Sequence, residues 1–147
     1  LPGIIAKLDY LKHLGIDALW LSPIFDSPQV DRGYDVSDYT KIYPPYGTVS
    51  DVEELIAQLH RRGMKLLLDL VVNHTSDEHP WFVESRSSAG SPKRDWYIWR
   101  KARYDGQGNR LPPNNWKASL GGGSVWEWDE ASQEYYLHYY DTKMPGR

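Results

Sequence analysis

The chain has 147 residues, a net charge of −3 and no cysteine, so it is long enough for one ordinary domain and cannot hold disulfides, iron–sulfur clusters or thiolate zinc. A hydrophobic content of 40% suffices for a core, and the negative charge argues against nucleic acid, whose phosphates call for clustered Lys and Arg. No apolar run reaches the ~18 residues of a membrane span, and Leu1–Ile5 lack the basic region of a secretory signal; a start without Met reads as the middle of a longer chain, with a cytoplasmic setting as the expectation.

Residues 4–14 are predicted as a helix, with Ile4, Ile5, Leu8, Leu11 and Leu14 at helical spacing and Gly15 as the stop. Residues 16–21 follow as a short buried strand, ended by Ser22-Pro23 because proline cannot donate to a ladder. Residues 22–47, rich in Pro, Gly, Asp and Tyr, read as loop. A second helix is predicted from Ser50, with Ser50 and Glu53 as its capping box, Val52, Leu55, Ile56 and Leu59 as its apolar stripe, and Gly63 as its end. Residues 65–72 are almost continuously apolar, the pattern of a parallel strand covered on both faces.

Helix, strand, helix, strand at this spacing means α/β with parallel strands, whose ligands gather beyond the C-terminal strand ends. The loop after Leu21 carries Tyr34 and Asp35. The loop after Val72 carries Asn73 and His74. The topology therefore brings residues about forty positions apart to one edge. Beyond His74 no third parallel strand is predicted. Residues 80–84 read as a helical turn, 96–99 as a short strand, and 124–128 with 134–139 as a hairpin. The segments 106–109 and 121–123 are turns. Aromatic residues make up 14% of the chain, and six of the seven tryptophans lie at Trp81 or later; such rings suit either a core or the C–H face of a sugar.

The chemistry-bearing string is Asp69-Leu70-Val71-Val72-Asn73-His74, followed by Thr75-Ser76-Asp77. At a strand end, a His can donate to a sugar hydroxyl while Asn and Asp hold it. Gly33-Tyr34-Asp35-Val36-Ser37-Asp38-Tyr39 precedes it by one β/α unit, and Trp20-Leu21-Ser22-Pro23, Asp95-Trp96-Tyr97-Ile98-Trp99-Arg100, Pro113-Asn114-Asn115-Trp116 and Glu134-Tyr135-Tyr136-Leu137-His138 surround the pair in order. Together these closely resemble glycoside hydrolase family 13, the α-amylase family, and within it the oligo-1,6-glucosidase and maltase group.

The resemblance implies a partial (β/α)8 (TIM) barrel over residues 1–74, an inserted β-rich domain B over 75–140, and a tail, 141–147, that stops resembling the family. It implies that His74 hydrogen-bonds the sugar at the cleavage subsite, that Asp35 holds the hydroxyls of a terminal glucose, and that Tyr34 is the aromatic platform beneath it. Asp69 would support the site by pairing with a later Arg. Asn73 matches a calcium ligand of many α-amylases, but the oligoglucosidase group lacks that ion. No metal or cofactor is therefore expected, apart from a structural calcium in a first-strand loop upstream of this chain. Competing readings stay open at single residues: Asp35 as a turn cap, Tyr34 as a rim aromatic, and Asn73-His74-Thr75 as a glycosylation sequon.

The family cleaves short α-glucosides with retention, using a carboxylate nucleophile and a second carboxyl as acid and then base. The resemblance places those groups on strands beyond residue 147. The expectation is a fragment of a retaining α-glucosidase, inactive alone and only marginally stable, since a whole barrel takes about 250 residues. Its partner would be a small α-glucoside. A noncatalytic family relative and a free-standing carbohydrate-binding module are the alternatives.

Overall fold

The computed structural model describes residues 1–147. The N-terminal helical pattern is realised as two pieces, α1 (Pro2–Ile5) and α2 (Leu8–His13), rather than one helix. The break falls at Lys7, whose φ of −108° and ψ of 4° leave the helical range. The apolar stripe survives it: Ile4, Ile5, Leu8 and Leu11 all reach one cluster with Leu55, Leu59 and Met64. Gly15 stops the segment at φ 93°, a left-handed conformation that a side chain would strain.

Strand β1 (Ala18–Leu21) enters the sheet next. The stretch expected as loop instead holds an antiparallel ribbon, β2 (Phe25–Asp26) with β3 (Asp38–Ile42). β2 is two residues long and its register slips between Phe25 and Asp26, so no period-2 pattern marks it. A turn of 3-10 helix, Pro44–Tyr46, leads into α3 (Val49–Arg61). Its cap lies two residues before the expected one. The Thr48 hydroxyl accepts from the Asp51 amide at 3.2 Å, and the Asp51 carboxylate accepts from the Thr48 amide at 2.7 Å. Thr-x-x-Asp makes the same reciprocal pair as the Ser50/Glu53 alternative but starts the helix earlier, with Gly47 at φ 135° turning the chain into it.

Strand β4 (Lys65–Leu68) pairs with β1 in parallel, from Ala18 opposite Lys65 to Leu21 opposite Leu68. It is half the predicted length. Pro23, two residues past Leu21, has no amide to donate, and the ladder ends with Leu21 opposite Leu68. The sheet is covered on one face only: Leu19, Leu21 and Leu66 pack on the α3 cluster, whereas Trp20 and Leu67, opposite each other, stand 55% and 54% exposed.

Beyond His74 the chain forms α4 (Pro80–Ser87), whose first turn is capped by His79 Nδ1 accepting from the Trp81 amide at 3.1 Å. A three-stranded antiparallel sheet follows, ordered β5 (Trp99–Arg100), β9 (Glu134–Leu137), β8 (Trp126–Asp129), with a small hairpin, β6 (Arg103–Tyr104) and β7 (Arg110–Leu111), set around the 106–109 turn. The β8–β9 hairpin is the one read from sequence. The 96–99 segment divides: Arg94–Trp96 is a 3-10 turn, and only Trp99 enters a strand. Phe82 stacks on Trp99 at 5.6 Å and meets Tyr136 edge-on, while the Arg94 guanidinium lies 3.6 Å from the centre of the Trp99 ring and pairs with Glu134 at 2.5 Å. Residues 141–147 fold back rather than trail away. Gly146 bridges to His74, Pro145 to His138, and the Arg147 amide donates to the Asn73 carbonyl at 3.0 Å.

Candidate functional site

The two segments that leave the C-terminal ends of β1 and β4 meet over a cavity of about 480 Å³, walled by Asp31, Tyr34, Asp69, Asn73, His74 and Tyr140 among others. Backbone anchors fix the meeting. Tyr39, on β3, donates its hydroxyl to the Val71 carbonyl at 2.6 Å and reaches the His74 carbonyl at 3.1 Å. The Ser76 amide donates to the Val36 carbonyl at 2.9 Å. These bonds lock the stretch after β4 against the stretch after β1.

His74 is 5% exposed, and burial holds its pKa below the ordinary 6.5 against the opposing pull of Asp31 and Asp35. The ring is therefore neutral at pH 7 and carries one proton. Its Nε2 lies 3.0 Å from the Tyr34 carbonyl, an obligate acceptor, so the proton is on Nε2. Nδ1 is then bare; the atom 3.1 Å from it is Asn73 Oδ1, and because amide oxygen and NH2 exchange places by a flip, the NH2 end takes that position to donate. Tyr140 closes the ring's other side edge-on at 5.5 Å.

Tyr34 donates its hydroxyl to Asp69 Oδ2 at 2.7 Å, and Trp20 Nε1 donates to Asp69 Oδ1 at 3.2 Å. Asp69 thus spends both oxygens on two aromatic rings of this chain. The hydrogen bond to Asp69 raises the Tyr34 pKa first of all, with burial adding to it, and the phenol stays protonated as the donor.

Asp35 is placed differently from the expectation. It is fully buried, lies outside the cavity wall, and accepts from the Val30 amide at 2.8 Å and the Asp31 amide at 3.0 Å. Tyr34 faces the cavity while its neighbour Asp35 faces the protein, in the turn-capping role that the sequence left open. The carboxylate that this loop brings to the cavity wall is Asp31, four residues earlier. It is half-buried, and its charge is felt by both His74 and Tyr34. Nothing in the sequence separates two aspartates in one loop; the signal is in the fold, which turns one in and the other out. A second cavity of about 520 Å³ shares Asp31, Leu120 and Tyr140 with the first.

Residues 1–146 match the family model for the alpha amylase catalytic domain. The chain belongs to the α-amylase family. The match runs through the final segment, where the sequence alone showed no likeness. Among its relatives are an alpha-glucosidase of Schizosaccharomyces pombe, 59% identical over 145 residues, and an oligo-1,6-glucosidase of Halalkalibacterium halodurans, 57% identical over 145 residues. Each comparison takes in 99% of this chain and 25% of the relative, so the chain spans about a quarter of their length. Among solved structures, an isomaltulose synthase of Erwinia rhapontici in complex with sucrose superposes with a TM-score of 0.92 at 50% identity, and a trehalose-6-phosphate hydrolase of Bacillus licheniformis with 0.91 at 50%, each over 99% of this chain and 25% of theirs. The β1–β4 pair and its helices are accordingly a sector of the family's TIM barrel, without closure.

Proposed function

We propose that this chain supplies the sugar-binding floor of a retaining α-glucosidase acting on short α-glucosides. The observation that carries the reading is the convergence of Asp31, Tyr34 and His74 on one cavity beyond the ends of two parallel barrel strands. A carboxylate, a phenol ring and an imidazole around a space of about 480 Å³ suit one hexose: Asp31 accepts hydroxyl hydrogens, the Tyr34 ring meets an apolar sugar face, and a hydroxyl near His74 competes for the Nε2 proton now given to the Tyr34 carbonyl. The family relatives named alpha-glucosidase and oligo-1,6-glucosidase, and a neighbour crystallised with sucrose, support the same substrate class.

Bond cleavage in this reading needs two carboxyl groups in addition to this floor, one as nucleophile and one as acid and base. The cavity wall offers Asp31 and Asp69, and Asp69 is committed to Trp20 and Tyr34. The chain by itself is therefore a binder without turnover. No metal enters the reading: Asn73 orients His74, as its contact with Nδ1 supports.

Isothermal titration with maltose and isomaltose tests the proposal. With one wall of a pocket present, weak saturable binding is expected, with a Kd of about 1 mM or more. Absence of saturation up to the solubility limit of either sugar contradicts it, and steady glucose release from a pure preparation contradicts the binder-only assignment.

A further inference from the structure

The loop between β2 and β3 is wound more tightly than its sequence requires. Gln29 and Arg32 hold φ of 65° and 52°, in the left-handed region that side chains disfavour, and Gly33 follows at 98°. A Cβ on Gly33 would lie 2.8 Å from the Pro23 carbonyl oxygen, so the loop presses on the chain leaving β1. Something must hold this winding, and two acceptors do. The Ser27 hydroxyl accepts from the Gln29 amide at 2.9 Å, and the buried Asp35 carboxylate takes the next two amides, Val30 and Asp31, one on each oxygen. Successive amides gathered on one anion form a concave nest, and a buried charge in it is stable only with both oxygens satisfied. The loop's product is the position of Asp31. Its carboxylate has no partner in the protein and stands where the two cavities share a wall.

We infer that Asp35 is a positioning residue: through the amides of Val30 and Asp31 it winds the 27–34 loop so that the Asp31 carboxylate is presented to the sugar at the junction of the two cavities. The sugar part of this rests on the function proposed above; the clasp itself does not. In Asp35→Asn, one oxygen is replaced by an NH2 that faces an amide it cannot accept from. The strained turn then relaxes, and Asp31 leaves the wall without any change in its own side chain.

The test is a double-mutant cycle on the 147-residue chain with two readouts. Hydrogen exchange of the Val30 and Asp31 amides, measured without sugar, reports the clasp. Glucose titration of the native chain, Asp31→Ala, Asp35→Asn and the double variant reports its purpose. The expected results are faster exchange at those two amides in Asp35→Asn with β1 and β4 protection intact, about a tenfold loss of glucose affinity in each single variant, and no further loss in the double variant. Unchanged exchange at Val30 and Asp31 overturns the clasp. A loss in the double variant equal to the sum of the singles overturns the route through Asp31. A native chain that binds no glucose while Asp35→Asn still frees both amides removes the sugar reading and upholds the clasp. If Asp35→Asn does not fold, Ser27→Ala loosens the same turn from its other end without leaving a buried charge, and faces the same comparison with smaller expected effects.

Discussion

Single side chains carry the site, and two pairs of neighbours show how far a sequence can point. Tyr34 and His74 were legible because an aromatic ring and an imidazole beyond parallel strand ends can reach the same space, and both line the cavity. Asp35 was singled out and Asp31 was not, because a buried carboxylate that collects loop amides and an open one on a cavity wall are the same residue type. Asp69 lines the cavity and accepts from Tyr34 and from Trp20, the second forty-nine positions away from it. Tyr34→Phe should therefore leave one oxygen of Asp69 unpaired and weaken glucose binding severalfold, by about 1 kcal/mol, while a Trp20→Phe exchange should do less because that bond is longer and exposed. Titration calorimetry of the two variants checks the order.

Two histidines set a pH dependence at this scale. Burial holds both His74 and His79 below 6.5, so the folded state favours the neutral rings and the unfolded state binds their protons more readily. Their contribution to stability is complete above the unfolded value of 6.5 and is lost as pH falls through the lower folded values. Urea midpoints should hold between about pH 8 and 7 and decline as the pH falls below 6.5, ahead of carboxylate protonation. A midpoint that stays flat over the lower window contradicts the burial of these rings.

Elements divide by whether their signal is local. Helix α3 was visible because its stripe is periodic; the buried pair Leu55 and Leu59 sits where the spacing puts it. Its start was misplaced because Ser50/Glu53 and Thr48/Asp51 both spell a capping box, and only the reciprocal bonds tell which one closes. The β8–β9 hairpin was legible from its flanking aromatic runs. The β2–β3 ribbon was not, since two residues and a bulge leave no period to read. Thr48→Ala should cost about 1 kcal/mol and Leu59→Ala about 2–5 kcal/mol, both measurable by chemical denaturation. In the β-rich part, Phe82→Ala should cost about 3–5 kcal/mol, because Phe82 is fully buried against Trp99, Tyr97 and Tyr136.

At the scale of the whole molecule, the apolar run after Met64 announces a sheet covered on both faces, and the chain covers one. Trp20, Leu67, Leu68, Leu70 and Val72 are exposed, Leu70 to 83%. A flat apolar surface beside unpaired strand edges favours self-association. Light scattering of the chain should rise steeply with concentration, and Leu70→Lys should lower it without changing the α3 core. The proposed sugar-binding role rests on the geometry of one cavity. Chemical-shift mapping of the isotope-labelled chain during glucose titration tests that geometry most directly. The account predicts saturable shifts at Asp31, Tyr34, His74 and Tyr140, abolished in Asp31→Ala. Saturable shifts confined to residues away from the cavity, or binding that is unaffected by Asp31→Ala, would contradict it.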